Sequence, residues 1–412
     1  MSSRKRSRDA DEEKSRYFGV YPHGMREVAL YELQHHCHAT VIDEYPEVNA
    51  VIFGDAKELR AVGCYYTLFI YTDTRTLTEP TIKDVREALT AMSGLDGALV
   101  EGYRSWRVTG YRLEGTDGVV HEFNTMDLEK ATADCIGSDT PVDLSGNADV
   151  EVVVWVMGLR IVVGWRPKRG WDKVDASRAM SISKEGRASR APDAVSFCVG
   201  HLALMHHHHH HDKGDGTMVV SDPMCGVGSY LFAMYFILVV RGRSDGPVEF
   251  YGYDADEEAI AIARANAARL AWDINFEVLD CGEAVGAKGA DGLTGGSPPI
   301  KADLVLVDPP WGHRHLTHSM VRKLYPRWSR SWLSLLKDES SLCVVVTIRT
   351  SHMQKEVLQL HASYMHHQPP LQILPHLTYR VPNFTQVGSP VRFDNMGFGQ
   401  CAAFLWALHP PT

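Results

Sequence analysis

Asp222-Pro223-Met224-Cys225-Gly226-Val227-Gly228 is the stretch on which the reading of the fold turns. It follows a short strand pattern, Met218–Ser221, and precedes an apolar stretch, Gly228–Val240, that suits a buried helix. Gly226 and Gly228 let the backbone turn tightly and approach a ligand that a Cβ would exclude. The helix start beyond them offers N–H groups with no partner inside the helix. Alone, such a turn carries little weight; its surroundings give it more. About thirty residues on, Tyr251-Gly252-Tyr253-Asp254 closes a second strand, Glu249–Tyr253, with an acid, where a doubly wound sheet places a carboxylate to grip ribose hydroxyls. Ala255 lies beside it, and Asp256 reads as the cap of the Ala-rich helix Asp256–Leu270. A third strand, Asn275–Leu279, runs into Asp280-Cys281, where a carboxylate can accept from an adenine amino group. Further strands at Ala302–Val307 and Leu342–Thr347 flank a helix at Thr317–Leu336. This alternation predicts an α/β fold with a parallel, doubly wound sheet.

A nicotinamide dehydrogenase would share the first two features but would have no use for Asp308-Pro309-Pro310-Trp311-Gly312, which follows the fourth strand. The prolines stiffen the turn and leave carbonyls that no helix can recruit. An exocyclic base amine is a poor nucleophile because its lone pair is delocalised into the ring. Acceptance of its hydrogens by the Asp308 carboxylate and a proline carbonyl orients that lone pair towards a methyl donor. Trp311 offers a flat face for the base, worth about 1–3 kcal/mol by analogy with other base–aromatic stacks.

The chain has 412 residues, 44% hydrophobic and 23% charged, which suits two or three globular domains. Its longest apolar run, Tyr230–Val240, is shorter than a membrane span, so no membrane association is expected. The start, MSSRKRSRDADEEKSR, reads as a charged, disordered tail and not as a secretory signal. The eight cysteines are scattered singly (Cys37, Cys64, Cys135, Cys198, Cys225, Cys281, Cys343, Cys401), which predicts a reducing compartment and no structural metal site. A net charge of −9 excludes a uniformly basic nucleic-acid binder but leaves room for local basic faces. Two clusters stand out: Arg160 to Arg190, which includes Arg166, Lys168 and Arg169, and His313 to Arg330, with Arg314, Arg322 and Lys323. They are the candidate RNA contacts.

Before the glycine turn, strand patterns at Tyr17–Tyr21, Ala50–Gly54 and Thr67–Tyr71 alternate with helix patterns at Met25–His35 and Lys57–Tyr65, a ferredoxin-like order. A second module follows, with helices at Ile82–Met92 and Asn124–Ile136, the latter capped by Asn124 or Thr125. Its strands are Ser105–Tyr111 and a hairpin of Val150–Met157 and Leu159–Gly164 around Gly158. Six histidines, His206–His211, and the Gly- and Ala-rich stretch Gly282–Ile300 read as polar insertions.

With DPMCGVG, YGYDAD and DPPWG in this order, the chain resembles the THUMP-domain RNA methyltransferases that make N2-methylguanosine, of the eukaryotic type. The stretches WRVTGYR from Trp106, HEFNTMDLEKATADCI from His121 and PVDLSGNADVEVVVWVMGLRIVVGW from Pro141 are similar to a THUMP domain, and YFGVYPHGMREVALYEL from Tyr17 to the ferredoxin-like domain before it. The resemblance implies a Rossmann-like class I methyltransferase domain at 191–412. Before it would come a ferredoxin-like domain at 17–78, a THUMP domain at 79–168 and a basic linker at 169–190, all behind a tail at 1–16. S-adenosyl-L-methionine would be the cofactor, its methionine and ribose held by Asp222, Pro223, Met224, Cys225, Gly226, Gly228, Asp254 and Ala255, and its adenine by Asp280 and Cys281. Asp308, Pro309, Pro310 and Trp311 would form the base site. The RNA would be tRNA, modified in its acceptor stem, with a small zinc-binding activator subunit as partner, in the cytoplasm or nucleus. Val227 and Trp311 depart from the family pattern, which has Thr or Ser and more often Phe or Tyr there. Asp-Pro-Pro-Trp also characterises adenosine-N6 RNA methyltransferases, which place it before the glycine motif. Its place after Gly228 points to guanine. A small nuclear RNA substrate and a silent RNA-binding adaptor are the alternatives.

Overall fold

The structure is a computed structural model that describes residues 16–54, 62–113, 119–144, 147–171, 175–176, 191, 193–207, 216–242, 244, 246–280, 300–310, 317–338, 340–348, 380–381, 384–386, 391–395 and 399–408. The chain divides into two compact units, residues 1–21 with 29–179 and residues 22–28 with 180–412.

The first unit is built on one seven-stranded sheet. Its strands are β1 (Tyr17–Val20), β2 (Thr40–Tyr45), β3 (Ala50–Gly54), β4 (Thr67–Thr76), β5 (Trp106–Leu113), β6 (Val150–Met157) and β7 (Arg160–Pro167), in the order β2-β3-β1-β4-β7-β6-β5. The two modules expected at 17–78 and 79–168 therefore share a single sheet. β4 pairs with β1 through Phe18↔Phe69 on one edge and with β7 through Ile70↔Trp165 on the other. Gly164 sits at this seam. A Cβ there would lie 2.1 Å from the Ile70 carbonyl oxygen and 2.2 Å from the Phe69 ring, so only glycine lets the two strands meet. The expected linker also contributes: Trp171 and Ala176 are buried, and Asp175 bridges to Val62. Val62 lies in the stretch expected as the helix Lys57–Tyr65; residues 55–61 fall outside the described set, and Val62 to Tyr65 are not helical.

Both faces of β6 are buried, as its near-continuous Val run requires. Val150, Val152, Val154 and Val156 pack with Val85 and Leu89 of α1 (Ile82–Thr90) and with Leu128 and Ala131 of α2 (Thr125–Ile136). Val153, Trp155 and Met157 pack on the other side with Phe18, Phe69 and Val162. Asn124 caps α2 with its side chain on the Asp127 N–H, and Asp127 returns the bond, forming a capping box.

Glu151 interrupts this apolar strand. The register sets it between Arg107 on β5 and Arg166 on β7. Arg107 and Arg166 each approach its carboxylate to 2.5 Å, and the Thr109 hydroxyl also donates to it. Burial alone would raise the Glu151 carboxyl, but the bonds from Arg166, Thr109 and Arg107 outweigh it and hold the group at about 2. Because the folded state ionises below the ordinary glutamate range near about 4.3, this stabilisation is complete above that range and disappears as pH falls towards about 2.

In the second unit, α3 (Asp193–His207) precedes β8 (Met218–Asp222), α4 (Ser229–Tyr235), β9 (Val248–Asp254), α5 (Glu257–Leu270), β10 (Asn275–Val278), β11 (Leu304–Val307), α6 (His318–Ser334) and β12 (Leu342–Ile348). The four strands β13 (Arg380–Val381), β14 (Phe384–Gln386), β15 (Val391–Asn395) and β16 (Gly399–Leu408) follow. The sheet order is β10-β9-β8-β11-β12-β16-β14-β13, with β15 also on β16. Strands β8 to β12 are parallel, as expected, and β16 returns antiparallel to β12. The fold is thus a Rossmann-like class I methyltransferase architecture. Trp328, Trp332, Leu333 and Leu336 of the α6 segment cover Val305, Val307 and Val345. At Gly200 a Cβ would lie 3.0 Å from Met234 Sδ, which shows how closely α3 approaches α4. Among the described residues, no helix is long and apolar enough to cross a membrane.

Glu151→Gln should leave Arg107 and Arg166 facing each other without a counter-charge. It should destabilise the chain by about 3–5 kcal/mol. Denaturant unfolding at neutral pH followed by a second series at acid pH checks this: the deficit should shrink as the wild type loses its own carboxylate.

Candidate active site

The order β10-β9-β8-β11 places the ends of four parallel strands side by side; Asp222 and Asp254 close β8 and β9, and Asp308 and Asp280 follow β11 and β10 by one and two residues. The chain runs outward from β8 through β9 to β10, then crosses back to β11 on the opposite side. The crevice between β8 and β11 is therefore the topological switch point, where open α/β sheets bind their ligands.

Asp222 is 1% exposed. Its Oδ1 accepts the Met224 N–H at 3.0 Å, while Oδ2 is buried with no hydrogen-bond partner. The loop then tightens: the Gly228 N–H donates to the Cys225 carbonyl at 2.8 Å, with φ of +52° at Gly226 and +87° at Gly228. The two glycines have different duties. A Cβ at Gly228 would lie 2.8 Å from Phe276 and 2.9 Å from Phe232, so this glycine admits the aromatic rings packed beneath the loop. A Cβ at Gly226 would meet nothing within 4 Å, so this glycine faces open space. Cys225 directs its thiol to the Gly226 carbonyl and its N–H to the Tyr253 carbonyl.

Asp254 fastens the loop to β9. Its Oδ2 accepts the Gly226 N–H at 2.8 Å and its Oδ1 the Asp256 N–H at 2.9 Å, next to the exposed Ala255. Asp256 caps α5 by accepting from Ala259, as its sequence position suggested. Asp280 is half-exposed and stands 3.7 Å from Arg327 on α6. On the other side of the crevice, Asp308 receives the Tyr230 hydroxyl at 3.4 Å. Pro309 is buried behind it and Pro310 half-buried. Pro223 is buried and Met224 half-buried in the loop. Cys281, Trp311 and Arg314 lie outside the described residues, as does the side chain of Arg322.

Burial pushes the Asp222 carboxyl well above the usual carboxylate range; the Met224 N–H opposes this, and the charges of Asp308 and Asp254 add to it.

Sequence reasoning missed three supporting residues. Tyr230 lies in the first turn of α4 beyond the glycines and carries the hydroxyl that reaches Asp308. Phe276 lies under Gly228 and also under Gly252, where a Cβ would come within 2.5 Å of its ring. Arg264 holds the Phe276 carbonyl with two hydrogen bonds, at 2.9 and 2.7 Å. Tyr230 had a signal in its place after the glycine turn; the other two had none short of the pairing of β9 with β10.

The basic candidates separate. Arg166 is occupied by Glu151 and only 12% exposed, so its charge is spent inside the sheet and it is not a surface contact. Lys168 is exposed and donates to Asn147, and Arg169 and Lys323 are exposed.

Residues 211–368 match the family model UPF0020, described as an RMKL-like methyltransferase domain, and these residues hold the glycine loop and all four acidic strand ends. The C-terminal unit is a methyltransferase domain. Its cofactor is S-adenosylmethionine. The buried, unpartnered Oδ2 of Asp222 and the open space at Gly226 fit a ligand that brings positive charge and lies close against the backbone. The fold recurs in TrmN from Thermus thermophilus, 20% identical over 96% of this chain and 99% of that one, with a TM-score of 0.63. It recurs in SMU.472 complexed with SAH, 12% identical over 97% and 99%, with a TM-score of 0.57. A predicted N6-adenine-specific DNA methylase from Listeria monocytogenes is 14% identical over 83% and 91%, with a TM-score of 0.55. Among curated proteins, none matches this chain.

Two substitutions test this geometry. Gly228→Ala should cost about 1–3 kcal/mol in backbone strain alone, and more through the clash with Phe276, with loss of cofactor binding by calorimetry. Asp222→Asn should act the other way on the cofactor-free fold. The folded chain holds the Asp222 proton more tightly than the unfolded chain, so ionised Asp222 costs stability as pH rises above about 4. Melting of Asp222→Asn should therefore occur higher than wild type at neutral pH, by at least about 3 °C, with the gap closing as pH falls.

Proposed function

We propose that the protein methylates the exocyclic N2 of a guanosine in RNA, with the acceptor stem of tRNA as substrate. The observation that carries this reading is the position of Asp308: at the end of β11, across the switch-point crevice from the glycine loop, with Pro309 and Pro310 following. S-adenosylmethionine supplies an electrophilic methyl group on a sulfonium sulfur. Asp308 accepts an N–H of the target amine, and Tyr230 fixes the carboxylate that does so. A proline carbonyl accepts a hydrogen bond from the second N–H, which would turn the nitrogen lone pair towards the methyl donor; as the N–C bond forms and the sulfonium C–S bond breaks to a thioether, the nitrogen would lose one proton to Asp308. Trp311 stacks on the base. Lys168, Arg169 and Lys323 contact phosphate.

The support for guanine is the order of motifs, with Asp308 after Gly228, and the family resemblance of the N-terminal stretches. An N6-adenosine substrate is the second reading, favoured by tryptophan at 311. A zinc-binding activator subunit belongs to the proposal as the partner that the resemblance implies.

Incubation of the full chain, with the activator, with methyl-labelled S-adenosylmethionine and tRNA should place label in N2-methylguanosine by nucleoside mass spectrometry. Label in N6-methyladenosine alone would select the second reading, and label in neither would sink both. Asp308→Ala should lower kcat about 10²–10³-fold, the usual cost of losing a group aimed at developing charge, with little change in KM for the cofactor.

A further inference from the structure

The carboxyl group of Asp222 is buried at the end of β8, at the switch point, and takes a single hydrogen bond, from Met224, on Oδ1. Its Oδ2 has no partner. The titratable groups around it come from each neighbouring element: Asp254 at the end of β9, Asp308 after β11, Tyr230 on α4, whose hydroxyl is turned to Asp308, and Cys225 in its own loop. Two of these are carboxylates that oppose a third negative charge, and among the described residues no cation acts on Asp222. An ionised carboxylate in such a place lacks both solvation and a counter-charge, whereas the neutral acid needs neither.

We propose that Asp222 carries a proton in the cofactor-free protein and releases it to solvent when S-adenosylmethionine binds, so that cofactor binding is coupled to the loss of one proton. The bond that breaks is the Asp222 O–H; the proton goes to buffer, and the carboxylate left behind is balanced by the ammonium and sulfonium charges of the cofactor. The inference rests on the cofactor assignment and extends it: the site recognises a cation by creating its own counter-ion on arrival. The burial of the group and the charges of Asp308 and Asp254 favour the protonated form before the cofactor arrives.

The test is calorimetric titration of the full chain with S-adenosylmethionine at about pH 6.5, where an α-amino group of pKa near 8 is already charged. Repetition in buffers of different ionisation enthalpy gives the proton count from the slope of observed heat against buffer enthalpy. The wild type should release about one proton, and its dissociation constant should fall about tenfold per pH unit between about pH 5.5 and 7. Asp222→Asn should release none and lose that pH dependence. Should Asp222→Asn bind too weakly to titrate, infrared difference spectra of the cofactor-free proteins decide. A protonated-carboxyl band present in wild type, missing in Asp222→Asn and lost on adding cofactor supports the inference. A zero slope in wild type, an unchanged slope in Asp222→Asn, or no such band overturns it while leaving the cofactor assignment intact. Failure of wild type to bind S-adenosylmethionine in any buffer overturns the assignment and the inference together.

Discussion

Crowding of negative charge at one end of a parallel sheet governs the catalytic unit. Asp280, Asp254, Asp222 and Asp308 lie at or just beyond the ends of four neighbouring strands, and the crossover from β10 to β11 puts Asp222 in the middle of the row. The four are not equivalent. Asp254 is tied to two backbone N–H groups, Asp280 faces Arg327, and Asp308 receives Tyr230. Asp222 receives one N–H and is enclosed. Such an arrangement costs stability in the absence of a ligand and is compensated when positive charge enters.

The aromatic layer beneath the loop makes that arrangement rigid. Phe276 fills the space left by two missing Cβ atoms, at Gly228 and Gly252, and is held from behind by Arg264. Phe232 packs at 5.9 Å from it, and Tyr235 stacks on Trp272 at 4.8 Å. The glycine at 226, by contrast, has nothing above it. One glycine thus serves packing and the other leaves its face open, a division that the G-x-G pattern alone does not reveal.

Much of the catalytic core was legible because its logic is local: strand, acid, turn, helix, repeated. The caps Asn124 and Asp256 followed from residue type and position. What escaped depended on packing. Helix α3 is buried nearly all round, from Ala194 to Leu204, so it shows no face periodicity to read. Strand β2 is largely exposed and polar, with no alternating apolar pattern. The antiparallel strands from β13 to β16 follow a break in the βα rhythm, and nothing in that rhythm announces them. Arg166 illustrates the converse error: it lies in a basic run, yet the β6–β7 register hands it to Glu151, fifteen residues earlier in the chain. That the two N-terminal modules share one sheet was hidden for the same reason, since the seam at Gly164 is a long-range pairing.

That seam has a bearing on how the N-terminal unit could be exchanged between proteins. Residues from α1 to β7 lack a sealed edge without β4: β7 would present Ile161-Val162-Val163 beside a row of unpaired backbone groups. Apolar edges of that kind recruit other chains. Strands β1 to β4 are therefore not a detachable accessory but the closing element of the sheet, and the smallest transplantable piece spans both modules.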